Sequence, residues 1–192
     1  ASTVSLLLSR GARVDAREQG FTPLLAAVQE GRTEVCKLLL ETGKANVKET
    51  TPDGGTPLLA AAQKGHTEVC ELLLENGSDL EESVPVTEDT ALHHAAGRGD
   101  ESLLQLLLSP KYKPNLNSRN STEATPLHLA SQGGHLTCVR KLLQAGANPM
   151  LPDKNGALPI HSAAGKNHVE VVSILIKQGG CSPDQVLSLI HI

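Results

Sequence analysis

Thr22-Pro23-Leu24-Leu25-Ala26-Ala27 is followed at nearly constant spacing by Thr56-Pro57-Leu58-Leu59-Ala60-Ala61 and by Thr90-Ala91-Leu92-His93-His94-Ala95. The phrase returns as Thr125-Pro126-Leu127-His128-Leu129-Ala130 and, more divergent, as Leu158-Pro159-Ile160-His161-Ser162-Ala163. Its starting positions are separated by 34, 34, 35 and 33 residues. Self-similarity at that period marks a stacked array, in which each unit buries its apolar face only against its neighbours. Such an array works as an extended surface rather than around one central pocket.

Residues 20 to 48 serve as the type unit. Thr22 offers a side-chain oxygen to cap a helix, and Pro23 takes the first helical position, where its missing N–H is harmless. Leu24 and Ala27 follow at helical spacing, and Gly31 stands where a left-handed residue ends the helix. Gly65, Gly99, Gly134 and Asn167 hold the same place. A second helix runs from about Thr33 with Val35, Leu38 and Leu39 as its apolar stripe, matched by Val69, Leu72 and Leu73 and by Leu103, Leu106 and Leu107. The stripe continues as Cys138, Lys141 and Leu142, then as Val171, Ile174 and Leu175; where Lys141 breaks it, Leu143 is expected to take over the packing. Leu72→Ala is accordingly expected to cost about 2–5 kcal/mol. Gly43, Gly77, Gly146 and Gly179 end these outer helices, and the remaining residues form an exposed turn or hairpin.

At these residues the chain resembles the ankyrin-repeat family, whose repeats open with Thr-Pro-Leu-His-x-Ala. The resemblance covers about residues 4 to 182 and implies an all-α solenoid of stacked antiparallel helix pairs with β-hairpin or turn fingers. It divides a single domain, 1–192, into a partial repeat 1–19, repeats at about 20–53, 54–87, 88–122, 123–155 and 156–182, and a C-terminal tail or partial repeat 183–192. Val4 to Arg10 reads as an outer helix without its inner partner. Residues 186–192 are too apolar for a polar end cap, so a fragment of a longer protein, or a tail that folds back or meets a partner, is expected. The family's signature His, at His93, His128 and His161, implies a side-chain hydrogen bond that steadies the adjacent finger. Leu25 and Leu59 replace it in the first two repeats, and Leu158 replaces the capping Thr in the last.

Composition narrows the function. One Phe, one Tyr and no Trp among 192 residues point to small-residue helix packing and leave no stacking platform for single-stranded nucleic acid. A net charge of −4 argues against intrinsic binding to nucleic acid or anionic membranes. No apolar run is long enough to span a bilayer. Cys36, Cys70, Cys138 and Cys181 lie far apart, which fits reduced thiols in a cytoplasmic or nuclear protein. Cys36 and Cys70 read as small buried hydrophobes. His66, His135 and His168 follow the helix-ending residue, and adjacent His93 and His94 point about 100° apart. Structural histidines, no metal, no cofactor and no catalytic centre are therefore expected.

Specificity is expected where the repeats differ. Between Glu75 and Asp89 six acids and no Lys or Arg flank Val84-Pro85-Val86. This segment is either a solvated loop or a finger in which Glu81, Glu82, Glu88 and Asp89 attract a basic segment while Val84 and Val86 offer it apolar contact. The next finger, Ser109 to Asn120, lacks the usual Gly and carries Lys111, Tyr112, Lys113 and Arg119; neutralising its acidic neighbour is the plainer reading. Phe21 and Tyr112 are expected at exposed finger positions. The resemblance implies a ligand groove of hairpin tips and inner helices, here Gln29, Glu30, Gln63, Lys64, Arg98, Gln132 and Lys166. A non-catalytic, monomeric module that holds a protein or peptide is the leading expectation. The alternatives are a targeting or regulatory segment of a larger enzyme, channel or bacterial effector, and a purely architectural spacer.

Overall fold

The computed structural model describes residues 6, 10–42, 44–182 and 184. Apart from Leu6, Arg10 and Asp184, the half-repeat expected over 4–10 and the tail from 183 lie outside the described residues, as does Gly43. Among the described residues ten helices follow in pairs: α1 Pro23–Gln29 and α2 Thr33–Glu41, α3 Pro57–Lys64 and α4 Thr67–Glu75, α5 Ala91–Arg98 and α6 Glu101–Leu107, α7 Pro126–Gln132 and α8 Leu136–Ala145, α9 Pro159–Gly165 and α10 Val169–Lys177. They fall into two compact units, residues 1–85 and 86–192. In the first, α1 packs on α3 and α2 on α4; in the second, α5, α7 and α9 stack in one row and α6, α8 and α10 in another. Each inner helix also packs on the outer helix that follows it.

The phrase residues build the inner helices as their chemistry requires. Thr22 Oγ1 accepts from Leu25 N–H at 3.3 Å, and Pro fills the first turn of α1, α3, α7 and α9. Leu24, Leu58, Leu92, Leu127 and Ile160 are buried. Gly31, Gly65, Gly99, Gly134 and Asn167 all take the left-handed conformation, with φ between 61° and 80°. Three of those glycines are also steric necessities. A Cβ at Gly31, Gly99 or Gly134 would lie 2.7, 2.4 or 2.5 Å from a ring atom of His66, His135 or His168. Gly99→Ala should therefore lose at least about 1–2 kcal/mol from its backbone conformation alone. It should also displace the His135 ring. A thermal melt unchanged from wild type would refute that packing.

The outer helices differ from the expected stripe. Their buried faces are Cys36, Leu39 and Leu40; Val69, Cys70, Leu73 and Leu74; Leu103, Leu104 and Leu107; Cys138, Val139 and Leu142; and Val171 and Leu175. Leu38, Leu72, Leu106, Lys141 and Ile174 are only half-buried. Lys141 is thus no break in the core: it stands on the half-exposed edge, with its Nζ 3.5 Å from the Glu101 carbonyl. Val139 and Leu142, rather than Leu143, carry the packing there. At the end of α10 the left-handed residue is Gly180, with φ 68°, one later than the expected Gly179.

The fingers are turns, and no extended strand occurs among the described residues. Proline recurs through them at 52, 85, 110, 114, 149 and 152, each removing a ladder donor. The first is a tight hairpin in which Glu18 and Phe21 exchange both backbone hydrogen bonds across Gln19 and Gly20, at φ 52° and 86°. Later ones share a five-residue loop, closed by Thr51 N–H to Gly55 O at 2.8 Å, Asn120 N–H to Ala124 O at 3.1 Å and Asp153 N–H to Ala157 O at 2.8 Å.

Candidate functional site

Histidines tie the second unit together in both directions, and His66 ties the first backward. Thr90 N–H donates to His93 Nδ1 at 3.2 Å, which places the ring proton on Nε2, and Nε2 donates forward to the Ala124 carbonyl of the next finger at 3.1 Å. His128 repeats the pattern, taking Thr125 N–H at 3.1 Å and giving to Ala157 O at 3.0 Å. His161 accepts Leu158 N–H at 2.8 Å, so the loss of the capping Thr there leaves that amide satisfied. His66, His135 and His168 reach backward instead. Their Nε2 atoms lie 3.2, 3.1 and 3.0 Å from the carbonyls of Gln29, Gly97 and Gln132. All six are bound into the scaffold.

Where Leu25 replaces the signature His, a carboxylate substitutes. The Thr22 hydroxyl donates to Glu49 Oε1 from the following finger. Burial raises the Glu49 pKa, opposed by the Thr22 hydrogen bond and by nearby Arg17. Arg17 Nη1 donates to Gly20 O at 2.8 Å and Thr50 O at 3.2 Å, joining the first finger to the second. Neither Arg17 nor Glu49 was singled out from sequence; the compensating signal, an acid on the finger after a repeat lacking its His, is visible only once the pairing is known.

In the first unit the finger and inner helix enclose an open groove of about 540 Å³. Phe21, Gln29 and Glu30 line it together with Arg17 and Glu18. Three expected partner residues are thus brought to one place. Phe21, however, is half-buried rather than exposed, and its backbone pairs with Glu18. Gln63 and Lys64 stand exposed at the end of α3. Glu81 is exposed and Val84 half-buried. Glu82 is half-buried, with Oε2 lacking a hydrogen-bond partner among the described residues. Pro85 seats against Gly54, where a Cβ would come within 2.7 Å of its ring.

The acidic segment divides at the boundary between units, and its remainder belongs to the second. There Val86 is 78% exposed, Glu88 is exposed at φ 56°, and half-buried Asp89 accepts from Asn120 Nδ2 at 2.9 Å. Asp89 is thus held by Asn120 of the basic finger, whose Arg119 pairs with its own Glu123 at 2.6 Å. Tyr112 is half-buried, with the Lys111 ammonium 5.1 Å from its ring centroid, so it is not the exposed ring expected. Lys113, Arg98, Gln132 and Lys166 are exposed. His94 is half-buried with no hydrogen-bond partner for Nε2 among the described residues, and burial lowers its pKa.

All four cysteines are buried and free. Burial pushes the thiols of Cys36 and Cys138 up to about 11, which keeps them protonated and poorly nucleophilic at neutral pH. No helix among the described residues is long and apolar enough to cross a membrane. A family model for ankyrin repeats matches three times, over residues 1–84, 43–120 and 92–186. The chain is 45% identical over 56 residues (29% of its length) to human (Homo sapiens) neurogenic locus notch homolog protein 4, of which the match covers 3%. It is 39% identical over 66 residues (34%) to the nuclear factor NF-kappa-B p105 subunit of Gallus gallus, covering 7% of that protein. Over 58 residues (30%) it is 41% identical to oxysterol-binding protein-related protein 1 of Mus musculus, covering 6%. The chain therefore spans only a small fraction of the length of these curated relatives.

Proposed function

The chain belongs to the ankyrin-repeat family, and on that premise we propose that it binds a partner protein or peptide, without catalysis, through its finger and inner-helix surface. The observation that carries this reading is the groove in which Phe21, Gln29 and Glu30 converge beside Arg17 and Glu18. A half-buried ring edged by polar, solvent-facing groups is the composition of an interface anchor. In the first unit Glu81 and Glu82 favour a basic partner approached near Val84, and in the second Glu88 and Asp89 favour one approached near Val86. Gln63 and Lys64 extend the proposed surface of the first unit, and Arg98, Tyr112, Lys113, Arg119, Gln132 and Lys166 that of the second. Its buried free thiols suit a cytoplasmic or nuclear setting.

Peptides selected from a random displayed library against the intact protein supply the probe. Phe21→Ala should weaken the selected binders by about tenfold or more, as loss of an aromatic anchor worth roughly 2 kcal/mol does. Affinity within error of wild type for every binder removes Phe21 from the surface. Reversing Glu81, Glu82 and Glu88 to Lys should abolish the salt dependence of basic binders. Unchanged affinity and salt response in a folded variant would end the charge assignment.

A second reading makes the chain the targeting or regulatory segment of a larger protein, favoured by the small share of each curated relative that it matches. Flanking catalytic or membrane sequence in the full reading frame would support it. Stop codons at both ends would refute it.

A further inference from the structure

We propose that Ser109 is a phosphorylation site for a proline-directed serine/threonine protein kinase, and that the phosphate resets the charge of the finger at 109–120. Six Ser/Thr-Pro pairs occur in the chain, at Thr22, Thr51, Thr56, Ser109, Thr125 and Ser182. The fold disposes of four of them. Thr22, Thr51, Thr56 and Thr125 are buried, three as helix caps and Thr51 through its hydroxyl bonded to the Gly55 carbonyl at 2.9 Å. Ser182 is exposed, but the residue two places on is Asp184. Ser109 is followed by Pro110, Lys111 and, two further on, Lys113. A proline after the serine has no N–H to leave unpaired in a kinase's apolar pocket, and lysines beyond it pair with acidic groups on the kinase.

The local structure singles out the same residue. Helices α4, α8 and α10 are followed by Gly77, Gly146 and Gly180 with positive φ, whereas α6 is followed by Leu108 in the right-handed region and the chain leaves through Ser109-Pro110. Half-buried Ser109 opens a turn closed by Tyr112 N–H to Ser109 O at 3.0 Å, and among the described residues its Oγ meets only the Lys111 N–H, at the long distance of 3.5 Å. Pro110 and Pro114 keep the segment out of helix or ladder, so it can extend into a kinase cleft at the expense of that turn. Pro110, Lys111 and Lys113 are all exposed. In the transfer, Ser109 Oγ attacks the γ-phosphorus of Mg-ATP, the new O–P bond forms as the bond to ADP breaks, and the hydroxyl proton passes to the kinase's catalytic carboxylate. A phosphate carrying about two negative charges then stands beside Lys111 and Lys113, cancelling the basic patch.

The experiment incubates the intact folded protein with a purified proline-directed kinase and Mg-ATP and maps the product by mass spectrometry. One phosphoryl group on Ser109 is expected, incorporated at the rate of native protein without prior heating. Ser109→Ala should reduce incorporation to background, Pro110→Ala should do the same, and Lys111→Glu with Lys113→Glu should slow it. Circular dichroism on each variant establishes that its helices are intact. Phosphate placed on Ser182 or on a capping threonine, incorporation only after thermal unfolding, or full labelling of Pro110→Ala overturns the proposal.

Discussion

Leu73→Ala should destabilise the first unit by about 2–5 kcal/mol, whereas Leu72→Ala, its immediate neighbour, should lose only about 1 kcal/mol. Leu73 has no exposed surface and Leu72 is half-buried. Truncating Leu73 leaves a cavity between α4, α3 and α2 that close-packed neighbours fill only in part. Truncating Leu72 removes a side chain that already meets water on one side, so solvent and the adjoining surface absorb most of the change. Urea denaturation of both variants, read by helix content, checks the ratio. Equal losses, or a larger loss for Leu72, would put the outer helix one residue out of register. That result would displace Cys70 from the core as well.

The difference between the two leucines shows what the sequence made legible. Inner helices were readable because their caps are chemical: Thr before Pro and a Gly or Asn at fixed distance admit one local conformation. Outer helices carry Leu at three successive places (Leu72, Leu73, Leu74), so apolarity alone does not select a face. Spacing of three and four chose Leu72; packing on two sides, against α3 and against α2, widens the buried face to include Cys70 and Leu74 instead. Cys70 was legible as a small buried hydrophobe, and it lies in the core as that reading requires.

The site was less legible for a different reason. Which residues vary at the fingers can be read from the repeats, but which charge meets which is a matter of geometry across about thirty residues. Asp89 is held by Asn120, and Arg119 turns to Glu123, so two charges assigned from sequence to a partner are already engaged within the fold. Phe21 and Tyr112 were expected in solvent because finger residues usually are. Instead Phe21 is half-buried in the groove lining, and half-buried Tyr112 has the Lys111 ammonium over its ring. The groove beside Phe21 depends on the tight turn at Gln19-Gly20, and the turn depends on two successive residues with positive φ.

Mild acid should weaken the second unit through His93 and His128. Both rings are buried, burial lowers both pKa values from the ordinary 6.5, and the hydrogen bonds they give to Ala124 and Ala157 only partly oppose it. Their Nδ1 atoms accept backbone N–H groups from Thr90 and Thr125, so a proton there would face a donor. Above about pH 6.5 the rings are neutral whether the chain is folded or not, and their full contribution to stability is present. Below that value the unfolded chain takes up protons that the folded one refuses, so stability falls as pH drops toward the depressed folded pKa. Each unit of depression removes about 1.4 kcal/mol once both states are protonated. His128→Ala should lose about 1–3 kcal/mol at neutral pH for each of the two backbone groups left unpaired, the Thr125 N–H and the Ala157 carbonyl. The same variant should flatten the acid dependence, since the ring that resists protonation is gone. Denaturation curves for both proteins at about pH 7.5 and about pH 5.5 separate the two effects. A wild-type curve indifferent to pH, or an acid loss that His128→Ala leaves at full size, would mean that this ring is not held neutral by its place between cap and finger.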